Sequence, residues 1–367
     1  MENKRKFFAI RQPDTRLLYL TILLAFIGII MVHSASVNIG IEEFGDPNHY
    51  VKKQALWFAL GLISMIVFSG FHYERWRKLA ALLFYATILL LFMPLVFPNS
   101  EGVKSWVDLG LFSFQTSELA KLTFILFFAA WLEKREKVIK HYTTFVTFLF
   151  IVGILAVLIM LQPDFGTLSI IVAIAFTMYF VAGMSMTHLL SFMGMGGLAA
   201  FYYISAESYR VQRILTFLNP NSDIEGAGYH LRNIAITVGS GSWWGLGLGN
   251  SRQKRLFLPA PHNDSIFAVI VEELGFIRAA IILIAIFYFI WRGLSIAAKI
   301  EDKYARLVLV GIMGWLFWQS LLNIGAMIGM VPLTGVPLPF ISYGGTSLLV
   351  LMTAIGVVLN ISKYKNG

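Results

Sequence analysis

Pro261-His262-Asn263-Asp264-Ser265-Ile266-Phe267 joins the most polar stretch of this 367-residue chain to one of its apolar runs. Behind it lies the loop 207–265, rich in glycine and arginine, and ahead of it 266–291 is almost wholly apolar. About 20 consecutive apolar residues cross a bilayer as a helix. Asp264 therefore marks the point where the chain re-enters the membrane. Carried outward in both directions, the same reading places spans at 17–36, 54–71, 79–97, 116–132, 143–161, 166–183, 186–205, 266–291, 306–330 and 342–362. The expected fold is an all-α integral membrane protein of about ten transmembrane helices. It forms one polytopic domain over 1–367, with one long extracytoplasmic loop, 207–265, between spans seven and eight.

Composition agrees. Hydrophobic residues make up 57% of the chain and charged residues 13%, with a mean hydropathy of +0.73. Soluble domains carry about 25% charge. The chain has no cysteine, which excludes disulfides, thiolate catalysis and cysteine-ligated metal. The formal charge of +9 raises the question of nucleic acid, but its distribution points to no nucleic-acid partner. Lys4, Arg5, Lys6, Arg11 and Arg16 come before the first span. Arg75, Arg77 and Lys78, then Lys134, Arg135, Lys137 and Lys140, then Arg292, Lys299, Lys303 and Arg306, and finally Lys363 and Lys365 occupy the alternate connections. The other short loops hold only Lys52, Lys53 and Lys104. This is the positive-inside pattern, so both termini are expected in the cytoplasm. Lys4–Lys6, the apolar 17–32 and Ser34-Ala35-Ser36 also fit a cleavable signal peptide. The length of that apolar run and the nine spans after it favour an uncleaved first helix.

The long loop breaks the charge pattern with Arg210, Arg213, Arg232, Arg252, Lys254 and Arg255. Long loops cross regardless of charge. These residues are either a solvated basic surface or a site for an anionic lipid headgroup or phosphate-bearing substrate. The same loop holds Gly239-Ser240-Gly241-Ser242-Trp243-Trp244-Gly245-Leu246-Gly247-Leu248-Gly249. It lacks the Gly-Lys-Ser/Thr ending of a Walker loop, and its tryptophans suit an interfacial anchor.

Asp264 is the leading catalytic candidate, read either as an ordinary helix N-cap or as a general base whose pKa burial raises. Glu272 and Glu273 follow inside the same span and require protein partners or a cavity. Glu118 and Lys121 are spaced i,i+3 and can pair. Arg278 falls near the middle of span eight, about 140° around the helix from Glu273, so its partner must come from elsewhere. Trp106, in Glu101-Gly102-Val103-Lys104-Ser105-Trp106-Val107-Asp108, is an interface anchor or a platform for a sugar ring. Asp164, in Gln162-Pro163-Asp164-Phe165-Gly166, reads as a turn residue.

The run Gly329-Met330-Val331-Pro332-Leu333-Thr334-Gly335-Val336-Pro337-Leu338-Pro339-Phe340-Ile341-Ser342-Tyr343-Gly344-Gly345-Thr346-Ser347, with Asn323 before it, resembles the signature of the SEDS family, the bacterial shape, elongation, division and sporulation proteins. The Trp106 loop, Phe114–Lys121, Gln162–Gly166, His262–Phe267 and Glu272-Glu273-Leu274-Gly275 extend the resemblance over most of the chain from about residue 100. The string Gly247-Leu248-Gly249-Asn250-Ser251-Arg252-Gln253-Lys254 looks more like the division branch than the elongation branch, and the sporulation branch is close to the division one. Departures from the usual pattern are Lys104, Ser105, Thr116, Ala260, Asn263, Ser265 and Arg278.

The resemblance implies a peptidoglycan glycosyltransferase that polymerises lipid II together with a class B penicillin-binding protein, among other division or elongation complex proteins. The essential aspartate of the family matches Asp264, its important tryptophan Trp106, and its Glu–Lys pair Glu118 and Lys121. Arg210, Arg213, Lys254 and His262 become candidate substrate-binding residues, and Glu272 and Glu273 cavity carboxylates. A divalent cation, Mg or Mn, would assist departure of the diphosphate, although no dedicated metal cluster is evident. The location implied is the bacterial cytoplasmic membrane. Two other functions fit the same spans: a lipid II flippase, with the intramembrane charges lining its path, and a non-catalytic scaffold.

Overall fold

A computed structural model describes residues 12–96, 105–108, 113–220, 226–254 and 258–365. The sequence readings at Lys4–Lys6, Arg11, 101–104 and Arg255 lie outside these residues. The described chain is nearly all helix: α1 (Thr15–Phe44), α2 (His49–Gly70), α3 (Tyr73–Val96), α4 (Thr116–Lys134), α5 (Tyr142–Met160), α6 (Phe165–Val181), α7 (Met186–Ser205), α8 (Ser208–Leu218), α9 (Ala227–Ser240), α10 (Ile266–Ala297), α11 (Lys303–Met327) and α12 (Gly345–Ser362). A two-stranded antiparallel hairpin, β1 (Trp106–Asp108) and β2 (Ser113–Gln115), pairs Trp106 with Gln115.

Each of the ten apolar segments expected from sequence coincides with one helix. Seven of these are long and apolar enough to cross a membrane, or eight if α7 and the Arg210–Leu218 part of α8 form one bent span. At 17 residues, α6 is shorter, and α4 carries Glu118, Lys121, Glu133 and Lys134, which dilute its hydropathy. The loop 207–265 is less irregular than its glycines suggest, because it contains α8 and α9.

Short polar side chains set the helix starts. Asp14, Asp164, Ser185 and Asp302 accept from backbone N–H groups of the first turns of α1, α6, α7 and α11, satisfying donors a helix leaves free. α11 and α12 form the buried centre, whereas α2 and α3 present most of their surface outward. Exposed leucine, isoleucine and phenylalanine on the outer helices are what lipid requires. The two ends of the described chain meet. Asp14 accepts from Arg292 at 2.6 Å and Lys365 at 2.9 Å, and its backbone N–H donates to Ser362. Burial opposes its charge, but the two cations outweigh it and hold its carboxyl at about 2. Ser34-Ala35-Ser36 is buried within α1.

One feature of α10 was not legible as a span. Gly275 takes φ 82°, ψ 167° and breaks the helix. A continuous helix would bond Phe276 to Glu272 and Ile277 to Glu273. Instead, Phe276 N–H donates to Ser242 O at 2.9 Å and Ile277 N–H to Trp243 O at 3.3 Å. The freed carbonyls of Glu272 and Glu273 accept from Leu246 and Gly247, each at 2.9 Å. The glycine-rich string is thus a backbone seam laid against the break. A Cβ on Gly275 would fall 2.4 Å from Gly245 N, and one on Gly245 2.3 Å from Glu273 O. Only glycine allows both the backbone angles and the approach. The stretch 276–297 is about 33 Å long, a bilayer crossing by itself. Arg278 therefore lies in the first turn after the break rather than mid-span, is exposed, and donates to Trp244 O at 3.3 Å.

Candidate active site

The Asp264 segment is fixed through its backbone. Tyr343 N–H donates to His262 O at 2.9 Å, and Asn323 Nδ2 on α11 donates to Asp264 O at 2.8 Å. Asn263 N–H closes a turn onto Ala260 O at 3.1 Å, with Ala260 at φ 45°. The N-cap of α10 is Ser265, whose side chain caps nothing. Its hydroxyl donates to Pro259 O and accepts from His230 Nε2 on α9, both at 3.1 Å. With the hydroxyl proton on Pro259, His230 carries its proton on Nε2.

Asp264 is therefore not an ordinary cap. Its Oδ1 is buried and bonded to nothing in the protein. Burial raises its pKa, while the N–H groups of Asp264 and Ser265 and the charge of Arg213 on α8 pull the other way. Burial wins over one distant cation, because desolvation penalises the charged form directly. Arg213 itself is exposed, so its charge acts on Asp264 from the solvent side. Arg210, one turn earlier, stacks on the Tyr203 ring at 3.8 Å and donates to Tyr203 O at 2.9 Å.

His262 packs among aromatic rings, 4.3 Å from Tyr50 and 5.4 Å from Tyr343. Burial lowers its pKa to about 4, so it is neutral at pH 7. Its Nδ1 is a second buried polar atom without a partner. Tyr50 and Tyr343 are 5.1 Å apart and edge-on, and Tyr50 OH donates to Glu43 at 2.7 Å.

Glu118 and Lys121 do pair, at 2.7 Å, with side chains 2% and 1% exposed. Lys121 Nζ also donates to Gln319 Oε1 on α11 at 3.0 Å and lies 4.8 Å from the Trp315 ring. Glu272 and Glu273 have protein partners. Glu273 binds Lys254 at 2.6 Å, with exposures of 0% and 5%, and accepts from Ser34 Oγ on α1 at 2.7 Å. Glu272 accepts from Ser251 Oγ and from Arg252 N–H. The Lys254 ammonium is thus engaged inside the protein, tying the end of the glycine string to α10 and α1. Trp106 is half-buried on its hairpin. That hairpin is held by Ser105 Oγ on Gln162 O at 2.8 Å and by Thr346, at the start of α12, against Ser113 O and Gln115 N. Asp164 does more than turn the chain. It caps α6 and accepts from Gln115 Nε2 and Ser117 Oγ.

The structure thus gathers Asp264, His262 and the field of Arg213. It separates them into a different cluster from Lys254, Glu272 and Glu273. His230, Gln319 and Tyr50 are residues that sequence reasoning missed, and Asn323 and Tyr343 entered it only as part of the signature, with no role. For two of them a signal existed: Gln319 and Asn323 are amides at i,i+4 in an otherwise apolar span, a spacing that places both on one face.

Among the described residues, no three His, Asp or Glu side chains gather as metal ligands. Mg²⁺ and Mn²⁺ favour carboxylate oxygens, so the side chains described do not build a cage for either.

The chain matches the FtsW/RodA/SpoVE cell cycle protein family over residues 14–367. It is 40% identical to stage V sporulation protein E of Bacillus subtilis strain 168 over 357 residues, covering 96% of this chain and 97% of that one. It is 38% identical to the probable peptidoglycan glycosyltransferase FtsW of Escherichia coli O6:H1 over 353 residues, covering 95% and 85%. These two identities do not separate the sporulation and division branches. A chain of a peptidoglycan synthase complex that coordinates polymerization and crosslinking superposes with a TM-score of 0.78 at 26% identity, covering 95% of this chain and 97% of that one. The rod shape determining protein RodA of Thermus thermophilus gives 0.72 at 26%, covering 97% and 98%. With its helices, its broken α10 and its Asp264 segment in place, this membrane protein belongs to the FtsW/RodA/SpoVE family of cell cycle proteins.

Proposed function

We propose that this chain is a peptidoglycan glycosyltransferase that polymerises lipid II, with Asp264 as general base. The observation that carries the reading is the Asp264 carboxylate. It is held by its backbone, its Oδ1 has no protein partner, and burial raises its basicity. Support for the substrate comes from the family: the FtsW relatives are named peptidoglycan glycosyltransferases. The carboxylate takes the proton from the 4-hydroxyl of the acceptor sugar. The oxygen attacks the donor's anomeric carbon from the face opposite the leaving group. The bond from that carbon to the diphosphate oxygen breaks, undecaprenyl diphosphate departs with the electron pair, and configuration inverts. One carboxylate suffices because diphosphate leaves without an acid. Arg213, whose charge acts on Asp264, and Arg210, one turn earlier on α8, suit the diphosphate. Trp106, on the side of the α12 start, suits a sugar face. A Mg or Mn ion would neutralise charge on the diphosphate and would come with the substrate.

The partner in this proposal is a class B penicillin-binding protein, since a solved relative belongs to a peptidoglycan synthase complex. Asp264 faces the extracytoplasmic side, and both termini face the cytoplasm. The charge pattern supports that orientation, and the meeting of Asp14 with Lys365 supports the two ends of the described chain lying on one side.

The test is glycan polymerisation from purified lipid II with the partner present. Asp264→Ala and Asp264→Asn should each lose product at least about a hundredfold, the usual scale of a general base. Asn keeps the size and polarity but cannot take the proton. Near-normal product from Asp264→Asn would overturn the reading.

A further inference from the structure

Two amides on consecutive turns of α11 reach the same bracket of backbone. Gln319 Nε2 donates to Pro337 O at 2.9 Å. Asn323 Nδ2 donates to Val336 O at 2.7 Å and to Asp264 O at 2.8 Å. Both side chains are 1% exposed. Neither amide can be turned around. Gln319 Oε1 receives Lys121 Nζ at 3.0 Å and Trp315 Nε1 at 2.6 Å, and both of those groups only donate. Its nitrogen must therefore face Pro337. The partners of Asn323 Nδ2 are two carbonyls, which only accept, so its nitrogen must face them. Pro337 fixes its own φ, which stiffens the geometry between the two bracket carbonyls. A polar chain thus runs from Glu118 and Lys121 through Gln319, the 336–337 carbonyls and Asn323 to the main chain of Asp264.

We propose that Asn323 and Gln319 are positioning residues for Asp264, and that the Glu118–Lys121 ion pair acts on the reaction through them. The proposal rests on Asp264 being the general base. Asn323 sets the peptide plane that follows the Asp264 Cα, and so the direction of its carboxylate. Gln319 holds the bracket that Asn323 shares. Lys121 orients Gln319. None of these side chains need touch substrate.

The prediction is a loss in turnover with substrate affinity retained. Misplacing a reacting group by about 1 Å costs about a hundredfold. Asn323→Ala should therefore lower kcat between tenfold and a hundredfold, with KM for lipid II within about twofold. It should also move the acid limb of kcat. Once released, the Asp264 carboxylate turns toward water and loses basicity, so activity should persist to lower pH relative to its own maximum. The charged and titratable groups around Asp264 are Arg213 from α8, His230 from α9 through Ser265, His262 of its own segment, Tyr50 from α2, Tyr343 ahead of α12, and the Glu118–Lys121 pair on α4 at the far end of the chain. All are retained in the variant.

The experiment measures kcat and KM across pH for the wild type, Asn323→Ala, Gln319→Leu and the double variant, each with its partner and lipid II. Gln319→Leu should shift the limb in the same direction by less. The double variant should be no worse than Asn323→Ala, because both act on one bracket. A fall in amplitude at every pH without a moved limb means a smaller folded fraction and overturns the proposal. So does wild-type turnover in Asn323→Ala. If Asn323→Ala does not fold, Gln319→Leu carries the same test one step further from the carboxylate. Asp264→Asn, run alongside, separates the two ideas. Inactive Asp264→Asn with an unmoved limb in Asn323→Ala fells the positioning role alone, whereas active Asp264→Asn fells the general base and the positioning role with it.

Discussion

Gly275→Ala should be among the most damaging small substitutions in this chain, although it adds one methyl group at an apolar position. The added Cβ would meet Gly245 N and Trp244 C at 2.4 Å and Trp243 O at 2.6 Å. All three are backbone atoms, so no side chain can swing aside. The φ of 82° and ψ of 167° lie where only glycine is at ease, a strain of about 1–3 kcal/mol for alanine. Relief requires the seam to part. Four backbone hydrogen bonds cross it, each worth about 0.5–1.5 kcal/mol net. Losing half of them with the strain gives a destabilisation of about 2–6 kcal/mol. Two controls isolate the causes. Gly249→Ala shares the positive φ, 83°, but its Cβ would meet nothing within 4 Å, so it should cost only the strain. Gly239→Ala lies in α9, also with nothing within 4 Å, and should be neutral or stabilising by up to about 1 kcal/mol. Thermal unfolding of the three proteins in one detergent ranks them. If Gly275→Ala melts together with Gly249→Ala, the two backbones are not in contact and the account of the glycine string is wrong.

Two further outcomes follow from the charged groups. Turnover needs Asp264 ionised and its pKa is raised, so activity should fall on acidification from a pH above the ordinary carboxylate range; since Arg213 lowers that pKa, Arg213→Glu should move the limb higher still, and a pH–kcat profile ending at ordinary carboxylate values in both proteins would contradict this. Glu118→Gln and Lys121→Met should each unfold more readily than the double variant, because either alone leaves a buried charge unpaired; the coupling should fall within about 0.5–3 kcal/mol, the double variant should turn over more slowly than the wild type but lose no more than Asn323→Ala, because Gln319 keeps Trp315 as a donor, and additive losses in a four-protein melting cycle would remove the pair.

What could be seen in the sequence was whatever depends on neighbours along the chain. Hydropathy found a helix at each of its ten segments, of which seven or eight are long and apolar enough to cross a membrane, since burial in lipid demands about twenty apolar residues in a row whatever they pack against. The i,i+3 spacing found Glu118 and Lys121; Arg278 does not pair with Glu273, but it is the break at Gly275, not the angle around a continuous helix, that separates them. What escaped depends on residues far apart in sequence. Nothing near Lys254 announces that Glu273 and Ser34 will surround it. The break at Gly275 was hidden because 266–291 is apolar on average despite Glu272, Glu273 and Arg278, so a window average runs straight across it. Its clue was spread over two places, one glycine in the span and several in the loop before it. α8 and α9 were overlooked because a segment rich in arginine and glycine reads as loop when judged by composition.

The membrane setting explains why the unpaired atom at Asp264 carries weight. Away from water, an ionised side chain is costly unless protein groups answer it. Glu273 has an ammonium, a serine hydroxyl and a backbone N–H. Glu272 has a hydroxyl and a backbone N–H. Glu118 has an ammonium on one oxygen, while its Oε2, like Asp264 Oδ1, is buried without a partner. Asp264 differs in that, among the described residues, no cation sits on its carboxylate and its main chain is held by a side chain. The protein has bound the carbonyl of this residue with Asn323 and its neighbours with Tyr343 and His230, yet no side chain contacts its Oδ1. A structural carboxylate would be expected to show the reverse, with its oxygens satisfied and its backbone left to the helix. Rigid main chain with a free acceptor is the arrangement a base requires, because the proton it takes must come from outside the protein. The buried carboxylates thus divide by how they are bonded: Glu118 and Glu273 hold an ammonium and Glu272 a hydroxyl, whereas Asp264, just ahead of α10, has its main chain fixed and its Oδ1 open to a partner from outside the protein.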